Sequence, residues 1–558
     1  MRPPTPSSVL ALSLLALLAS GCGTFGASAA RVGELFVAGG ERTLRDDLRP
    51  IRGTTRVLVI GLDGVGDGVL REAIASGEMP RLSALLGAPQ GENLWAHAYA
   101  APGVMSVLPS ETSGGWAAVY TGATGAQSGV PGNEWFDRET LTSYAPVPLS
   151  VRGVRQTLGI YTDDLFGRAI AVPTLFERAD VRAHVALGFV YRGADVLAMP
   201  DPGDVGDLIK AGVHLLAGSR GAVYSTLDDD TVSGVRRGFR AHGVPDLQVA
   251  YFPGVDLVAH DRGAQAQRDY LVSRVDRNIG RVLDLYRDAG ALDDTYVVVV
   301  ADHGHSPSLD DDRHSLGGDG TADEPVAVLE AAGRRVRPFA VGVDSSAYDA
   351  VMAYNESFAH IFLADPAGCP ADTGPCDWQR PARLREDVLA VAGAFDAARR
   401  DSASGMGGTL DLVLARVSDP SGRTSPPFQV YDGGRLVPVA DYLAATPRPD
   451  LLAFEQRLGW LSDGPLGARA GDVLLMAHDG TAVTASGEIV STPQGRFYFG
   501  SPRLSGHGSA TARDGLIPLL VAHPRRLGAS VRARVVGAVG ETPTQLDVTP
   551  LVLDLLGE

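Results

Sequence analysis

A short apolar stretch, Arg56-Val57-Leu58-Val59-Ile60-Gly61, decides the fold of this chain of 558 residues. A run of β-branched and aliphatic residues that ends in glycine is typical of a strand buried on both faces of a parallel sheet. Asp63 follows just beyond the predicted strand end, where open α/β sheets bind their ligands. The stretch therefore predicts a parallel sheet and a polar residue at its functional edge.

Two later segments repeat this arrangement. Thr295–Ala301 is strongly β-branched and leads into Asp302-His303, and Leu247–Phe252 comes shortly before Asp256. Helical periodicity appears between the predicted strands, at residues 231–239 and 267–289. Because strands alternate with helices, we expect an α/β fold whose mainly parallel central sheet is covered on both faces.

The rest of the chain divides around this predicted core. The composition, 45% hydrophobic and 21% charged, is that of a globular protein. Residues 346–470 are rich in Pro/Gly turns and hairpin-like runs such as Pro427–Tyr431, and core character returns at Leu516–Ala522. We therefore predict an α/β core in two parts, 53–345 and 471–558, separated by an inserted cap region, 346–470.

The N-terminus has the features of an export signal. Leu10 to Ser20 is apolar but too short to span a bilayer, and Gly21-Cys22 follows it. Residues 1–21 are predicted to be a signal peptide, and residues 22–52 a tether carrying lipid on Cys22. This places the protein outside the cytoplasm as a membrane-anchored bacterial lipoprotein, in the periplasm or on the cell surface. A plain secretory signal with an incidental cysteine is the alternative.

Charge and cysteine content narrow the possible functions. The net charge is −17, and the sequence has no basic stripe with interleaved aromatic residues, so a nucleic-acid polymer is not expected as a partner.

Besides Cys22, the chain has Cys369 and Cys376, which enclose a Pro/Gly loop. Outside the cytoplasm such a pair favours a disulfide over a metal or redox site, because the spacing is not that of a C-x-x-C pair.

Six carboxylate and imidazole side chains are candidate metal ligands: Asp63, Asp256, His260, Asp302, His303 and His507. Such groups are preferred ligands of zinc and other divalent transition metals. Taken singly, Asp63 could be a strand-end cap, Asp256 and His260 a surface pair, and His507 a loop histidine. Asp302-His303 is more specific, because few structural needs place two polar residues at a buried strand end.

The order and flanking sequence of these residues resemble the alkaline phosphatase superfamily, and within it the type I phosphodiesterase/nucleotide pyrophosphatase branch. The resemblance covers roughly residues 54–310 and 495–558. It extends to Thr112-Ser113-Gly114-Gly115-Trp116, then to Tyr120-Thr121-Gly122 and Gly129-Val130-Pro131-Gly132-Asn133. Thr112 corresponds to the nucleophile of that branch, although a threonine before two glycines is otherwise ordinary turn chemistry.

The resemblance implies an alkaline-phosphatase-like three-layer sandwich and a site for two divalent metal ions, with zinc favoured. A first metal position would consist of Asp256, His260 and His507. A second metal position would consist of Asp63, Thr112, Asp302 and His303. Thr112 would attack phosphorus to give a phospho-threonine, while Asn133 and the Thr112 backbone amide hold the non-bridging oxygens.

The function implied is hydrolysis of small phosphorylated substrates, with phosphodiesters favoured. Phosphomonoester or phosphonate hydrolysis at the same site stays open, as does a lipoprotein that binds phosphorylated ligands without catalysis. Sulfate esters are disfavoured, because no Cys/Ser-x-Pro-x-Arg frame surrounds Thr112. Nucleotide-cleaving relatives often carry an aromatic residue after the nucleophile, where this chain has Ser113. His305, His314 and Asp310-Asp311-Asp312 are expected to form a solvated loop, with a role in substrate or extra-metal contact as the alternative.

Overall fold

The computed structural model describes residues 40–53, 55–146, 164–199, 223–317, 324–337, 342–370, 374–418, 425–484 and 486–557. The predicted signal peptide, Cys22 and most of the tether lie outside the described residues. Among the described helices, none is long and apolar enough to cross a membrane.

The strands, numbered in chain order, are β1 Glu41–Thr43, β2 Arg56–Leu62, β3 Pro89–Gly91, β4 Leu94–Trp95, β5 Ala98–Ala100, β6 Trp135–Asp137, β7 Thr142–Tyr144, β8 Ala183–Ala186, β9 Val196–Ala198, β10 Leu247–Phe252, β11 Thr295–Ala301, β12 Ser306–Pro307, β13 Ser315–Gly317, β14 Gly342–Val343, β15 Ala350–Asn355, β16 Phe358–Leu363, β17 Leu410–Ala415, β18 Gln429–Asp432, β19 Arg435–Pro438, β20 Val473–Ala477, β21 Thr481–Val483, β22 Ile489–Ser491, β23 Tyr498–Gly500, β24 Ser505–Gly506 and β25 Leu519–Ala522.

The α-helices are α1 Asp67–Ala75, α2 Pro80–Leu86, α3 Thr112–Thr121, α4 Gly125–Ser128, α5 Leu165–Ala169, α6 Leu175–Arg178, α7 Val223–His242, α8 Gly254–Tyr270, α9 Asp276–Asp288, α10 Glu324–Ala331, α11 Ala390–Arg400, α12 Val439–Ala445, α13 Phe454–Ser462, α14 Ala512–Gly515, α15 Gly528–Val539 and α16 Val548–Leu556. Short π or 3-10 turns lie at Leu271–Val275, Leu292–Asp294, Pro366–Gly368, Leu384–Leu389, Gly467–Ala470 and Gln545–Asp547.

The central sheet has ten strands in the order β1-β9-β8-β10-β2-β11-β25-β5-β4-β3. Its inner strands β9, β8, β10, β2 and β11 run parallel, and antiparallel strands extend both edges. Every residue of β10 and β11 is buried, which accounts for their mostly apolar sequence. The predicted α/β fold with a mainly parallel central sheet is confirmed.

The register of the three middle strands places their ends level. Leu62 of β2 pairs with Phe252 of β10 and with Ala301 of β11. The chain therefore leaves all three strands at the same edge of the sheet. The apolar stripe predicted over 267–289 packs in the core, where Ile279, Val282 and Tyr286 of α9 are fully buried.

A second sheet of six strands has the order β15-β16-β20-β17-β18-β19 and is drawn from residues 350–477. Its β18–β19 hairpin turns at Gly433 and Gly434, as the sequence indicated. A disulfide joins Cys369 to Cys376 in the connection after β16, which confirms the predicted bond. The exact bounds of the inserted cap region stay a prediction.

Candidate functional site

Three aspartates lie at the common edge where the parallel strands end. Asp63 follows β2, Asp302 follows β11, and Asp256 lies in the first turn of α8, shortly after β10. All three side chains are buried, with exposed fractions of 2%, 0% and 5%. Level strand ends therefore bring the three carboxylates together, as parallel pairing predicts.

The three predicted histidines at this edge come from three different segments of the chain. His260 is one helical turn after Asp256, and its Nε2 lies 3.4 Å from Asp256 Oδ2. His303 Nε2 lies 3.5 Å from Asp63 Oδ1 and 3.4 Å from Asp302 Oδ2. His507 follows β24, which pairs with β12, and its Nε2 lies 3.9 Å from Asp256 Oδ1. The structure thus brings together the six predicted carboxylate and imidazole groups.

Hydrogen bonds orient two of the imidazoles. His260 Nδ1 lies 2.8 Å from the carbonyl oxygen of Ser505, and His303 Nδ1 lies 2.9 Å from that of Gly304. A carbonyl can only accept, so each Nδ1 carries the donated proton, and in the neutral form of either ring it is Nε2 that offers a lone pair to the cluster. Metal-binding histidines are commonly fixed in this way.

Thr112 completes the predicted set. It is the first residue of α3, its side chain is buried, and its Oγ1 lies 3.1 Å from His303 Nε2. Asn133 lies beside it, because the Asn133 Oδ1 accepts a hydrogen bond of 2.9 Å from the Ser113 backbone N–H. The residues around Thr112 form a helix start rather than the ordinary turn that the two following glycines could also have indicated.

The electrostatics of the cluster fit a bound cation. Asp63 Oδ1 and Asp302 Oδ2 are buried and accept no hydrogen bond from any described residue. Burial, followed by the charges of Asp302 and Asp256, raises the pKa of Asp63 well above its usual range. Burial also raises the pKa of Asp302. Carboxylates packed together in this way require compensating positive charge to stay ionised.

Asp256 behaves differently because imidazoles surround it. Burial alone would raise the pKa of Asp256, but His260 and His305 lower it well below its usual range. The ligand atoms of Asp256, His260, His305 and His507 converge, as do those of Asp63, Asp256 and His303. Oxygen and imidazole donors in buried groups of this kind suit zinc and similar divalent ions.

The structure corrects the expectation of a solvated loop after Asp302. Asp310, Asp311 and Asp312 are exposed as expected, but His305 and His314 are buried. His305 Nε2 lies 2.6 Å from Asp256 Oδ1, whereas His314 bonds to Asp311 and to the carbonyl oxygen of Gln494. Because His305 lies close to Asp302 and His303 in the sequence, its position in the site could have been predicted from that proximity.

Three other side chains at the site were not predicted from the sequence. The Tyr251 hydroxyl donates a hydrogen bond to Asp63 Oδ2. Glu356, from the second sheet, accepts a hydrogen bond from the His507 backbone N–H and pairs with Arg503. Tyr251 lies inside a strand whose every residue is buried, so its sequence resembles that of a core strand. Glu356 lies far in sequence from every other side chain of the site.

The solved structures that this chain is similar to include two kinds of enzyme. Murine ectonucleotide pyrophosphatase/phosphodiesterase 5 is 14% identical, over 90% of this chain and 95% of that chain, with a TM-score of 0.48. Its inactive variant in complex with AMP gives 13% identity, the same coverage and a TM-score of 0.48. Phosphonoacetate hydrolase from Sinorhizobium meliloti, in complex with phosphonoformate, is 16% identical over 92% of this chain and 100% of that chain, with a TM-score of 0.46. No curated protein sequence matches the chain.

A buried cluster of metal-binding side chains around a hydroxyl, at the carboxyl edge of a parallel sheet, defines a class of hydrolases. The family model of type I phosphodiesterase / nucleotide pyrophosphatase matches residues 57–337. The chain belongs to this family and is a phosphoric ester hydrolase.

Proposed function

We propose that the protein hydrolyses phosphodiesters through a phospho-threonine intermediate on Thr112. The observation that carries this proposal is the position of Thr112 Oγ1, 3.1 Å from His303 Nε2 within the buried cluster. Thr112 is also the first residue of α3, so the backbone N–H groups of that helix end face the place where phosphate charge would develop.

Two divalent ions, with zinc proposed, would lie at the first and second metal positions. When bound, such a pair neutralises the attacking and leaving oxygens of an in-line displacement. The side chains present fit this role because each position combines at least one carboxylate with at least one imidazole. Tyr251 supports the second metal position by its hydrogen bond to Asp63.

In the first chemical step, Thr112 Oγ1 forms a bond to phosphorus while the bond from phosphorus to the leaving oxygen breaks. The hydroxyl proton passes to water, and water protonates the departing oxygen. Asn133 and the Thr112 backbone N–H hold the non-bridging oxygens. The bond from Ser113 N–H to Asn133 Oδ1 orients this amide and leaves its Nδ2 group as the donor. In the second step water attacks phosphorus and releases the threonine.

The surroundings of Thr112 bear on the choice of substrate. Trp116, Trp135 and Phe136 are the aromatic residues close to Thr112 or Asn133 in sequence, and all three are buried in the core. Trp116 packs on Tyr120 and Tyr251 rather than facing the site. These rings therefore offer no surface on which a nucleotide base could stack, and we propose phosphate esters without a requirement for a base.

The test compares hydrolysis of bis-p-nitrophenyl phosphate and p-nitrophenyl phosphate by purified protein, before and after chelation and after zinc is restored. We expect faster turnover of the diester, loss of activity on chelation and recovery with zinc. Faster turnover of the monoester would replace the diesterase proposal by a phosphomonoesterase, and phosphonoacetate would test a phosphonate hydrolase. Binding of these compounds without turnover would identify a non-catalytic protein.

We also propose that the protein is an extracytoplasmic lipoprotein anchored through Cys22. The sequence of residues 10–22 supports this proposal, and the disulfide between Cys369 and Cys376 agrees with an oxidising compartment. Replacing Cys22 by serine should move the protein from the membrane fraction to the soluble fraction. A wild-type protein that is already soluble and begins elsewhere than at residue 22 would refute the anchor.

A further inference from the structure

A turn of the second sheet reaches the first metal position. Glu356 and Ser357 connect β15 to β16. Glu356 Oε2 accepts a hydrogen bond of 2.8 Å from the backbone N–H of His507, and Ser357 Oγ donates one of 3.2 Å to the His507 carbonyl oxygen. This turn lies beyond residues 57–337, the part of the chain that the family model covers.

The second carboxylate oxygen of Glu356 faces the imidazoles of the first metal position. Glu356 Oε1 lies 3.5 Å from His507 Nε2 and 3.9 Å from His260 Nε2. Asp256 lies beside the same rings with its two different oxygens, Oδ1 at 3.9 Å from His507 Nε2 and Oδ2 at 3.4 Å from His260 Nε2. Donor atoms bound to one tetrahedral zinc lie roughly 3.3–3.6 Å apart, because each is about 2.0–2.2 Å from the ion.

Two features of the backbone maintain this placement of Glu356. Its φ of 47° is in the left-handed region, which is unfavourable for a residue with a long side chain. The neighbouring Gly506 allows the close approach, because a Cβ at that position would lie 2.6 Å from Glu356 Oε2. Conformations of this kind are held where the surrounding structure needs them, and they cluster at functional sites.

His305 is the other candidate for an additional ligand, but its geometry is that of a hydrogen bond. Its Nε2 lies 2.6 Å from Asp256 Oδ1, closer than two ligands of one zinc ion would lie. Its Nδ1 lies 3.0 Å from Ser505 Oγ. His305 is therefore placed to orient Asp256.

We propose that Glu356 is the fourth protein ligand of the first metal position. The inference rests on the proposed function, since it takes that position to hold a divalent ion. Arg503 pairs with Glu356 Oε1 from the more exposed side, and a carboxylate has enough lone pairs to accept this hydrogen bond while it binds a metal. The second sheet would thus supply part of the metal site itself.

The test measures metal content rather than turnover. Wild-type protein is loaded with zinc, passed over a chelating resin and assayed for bound zinc, and cobalt-loaded samples are compared by visible absorption. Glu356→Gln can still accept the hydrogen bond from His507, so it removes the anionic ligand with little change in shape. We expect the wild type to keep two equivalents and Glu356→Gln about one, with zinc affinity at the first metal position lower by at least roughly ten-fold. The cobalt spectrum should change accordingly.

Three further variants separate the possible causes of the lost zinc ion in Glu356→Gln. Glu386→Gln, an exposed glutamate in the connection between β16 and β17, is the matched control and should keep two equivalents. Glu356→Asp keeps the charge and should bind more zinc than Glu356→Gln. The double variant Glu356→Gln/Arg503→Gln removes the arginine that the single change leaves unpaired, and it should still lack one ion. Recovery of the second equivalent in this double variant would show that Arg503 repelled the metal and that Glu356 is not a ligand.

The remaining outcomes are equally decisive. Two equivalents of zinc and an unchanged cobalt spectrum in folded Glu356→Gln would overturn the inference. If the wild type binds two ions but hydrolyses no phosphate ester, the proposed function fails while the role of Glu356 is still decided by the variants. If the wild type binds no ion at the first metal position, both fail.

Discussion

Replacing Gly115 by alanine is expected to damage the site, whereas the same change at Gly114 is expected to be harmless. Both glycines lie near the start of α3, after Thr112 and Ser113. A Cβ on Gly115 would lie 2.7 Å from Asp302 Cβ, 2.9 Å from its carbonyl oxygen and 3.1 Å from its Cα. A Cβ on Gly114 would have its nearest neighbour, a methyl of Val107, at 3.6 Å.

The size of the difference follows from these distances. Alanine in place of glycine within a helix stabilises it by about 0.5–1 kcal/mol, and this gain is available to both variants. Favourable carbon contacts are about 3.5–4.0 Å long, so the Gly115 variant must displace Asp302 by several tenths of an ångström to about 1 Å. Overpacking of this kind costs about 1–3 kcal/mol, and the Asp302 backbone has little freedom because its carbonyl oxygen accepts a hydrogen bond of 2.8 Å from Gln545.

Because the helical gain is common to both variants, we expect Gly115→Ala to be less stable than Gly114→Ala by the cost of the overpacking alone, about 1–3 kcal/mol. Thermal and urea unfolding of the two variants side by side would measure the difference. Because Asp302 belongs to the second metal position, Gly115→Ala should also keep less zinc and turn over less substrate. Equal stability and equal zinc content in the two variants would refute the close approach of α3 to Asp302.

Three other outcomes are expected. Thr112→Ala should fold normally but lose at least about 100-fold in turnover, whereas Thr112→Ser should retain far more of the activity. A Thr112→Ala protein that is folded and fully active would show that Thr112 is not the nucleophile. His507→Ala should keep about one equivalent of metal in place of two, and unchanged metal content would contradict the first metal position. Burial and the nearby Arg416 lower the pKa of His360 to about 3 from 6.5. Between these two pKa values the unfolded chain binds a proton that the native state does not. His360 therefore has no effect on the free energy of unfolding above pH 6.5, and as the pH is lowered from there to about pH 3 it reduces that free energy by about 1.4 kcal/mol per pH unit. Melting temperatures of His360→Leu should therefore depend less on pH than those of the wild type, and an identical dependence would refute this origin.

Features that depend on neighbours in sequence could be predicted. The strands at Leu247–Phe252 and Thr295–Ala301 have the predicted bounds, because a strand buried on both faces is made mostly of apolar residues. The polar residues that follow such strands could be assigned to one edge of the sheet, because parallel strands end at the same edge. Asp63, Asp302 and His303 were found in this way, without knowledge of the strand order.

Features that depend on distant pairings could not be predicted. The sequence around Glu356 contains no metal-binding pattern, and its role arises only because the β15–β16 turn packs on the loop of His507. The acidic residues that follow His305 favour a solvated loop, but the His305 side chain turns inward and contacts Asp256. Tyr251 sits in a strand whose every residue is buried, so nothing in its local sequence separates it from a core aromatic residue.

The two metal positions therefore depend on different parts of the molecule. The side chains of the second position, including Thr112, belong to residues 63–303, so the proposed nucleophile is held by the parallel sheet and the helix that begins beside it. The first position depends on His507 and, by our inference, on Glu356, which are held together by hydrogen bonds between the β15–β16 turn and the segment after β24. Sequence changes in the second sheet can then alter metal affinity and the space for the leaving group without moving Thr112. Under the proposed mechanism, substitutions in the second sheet of this chain would therefore change substrate choice while the bond-forming step keeps its geometry.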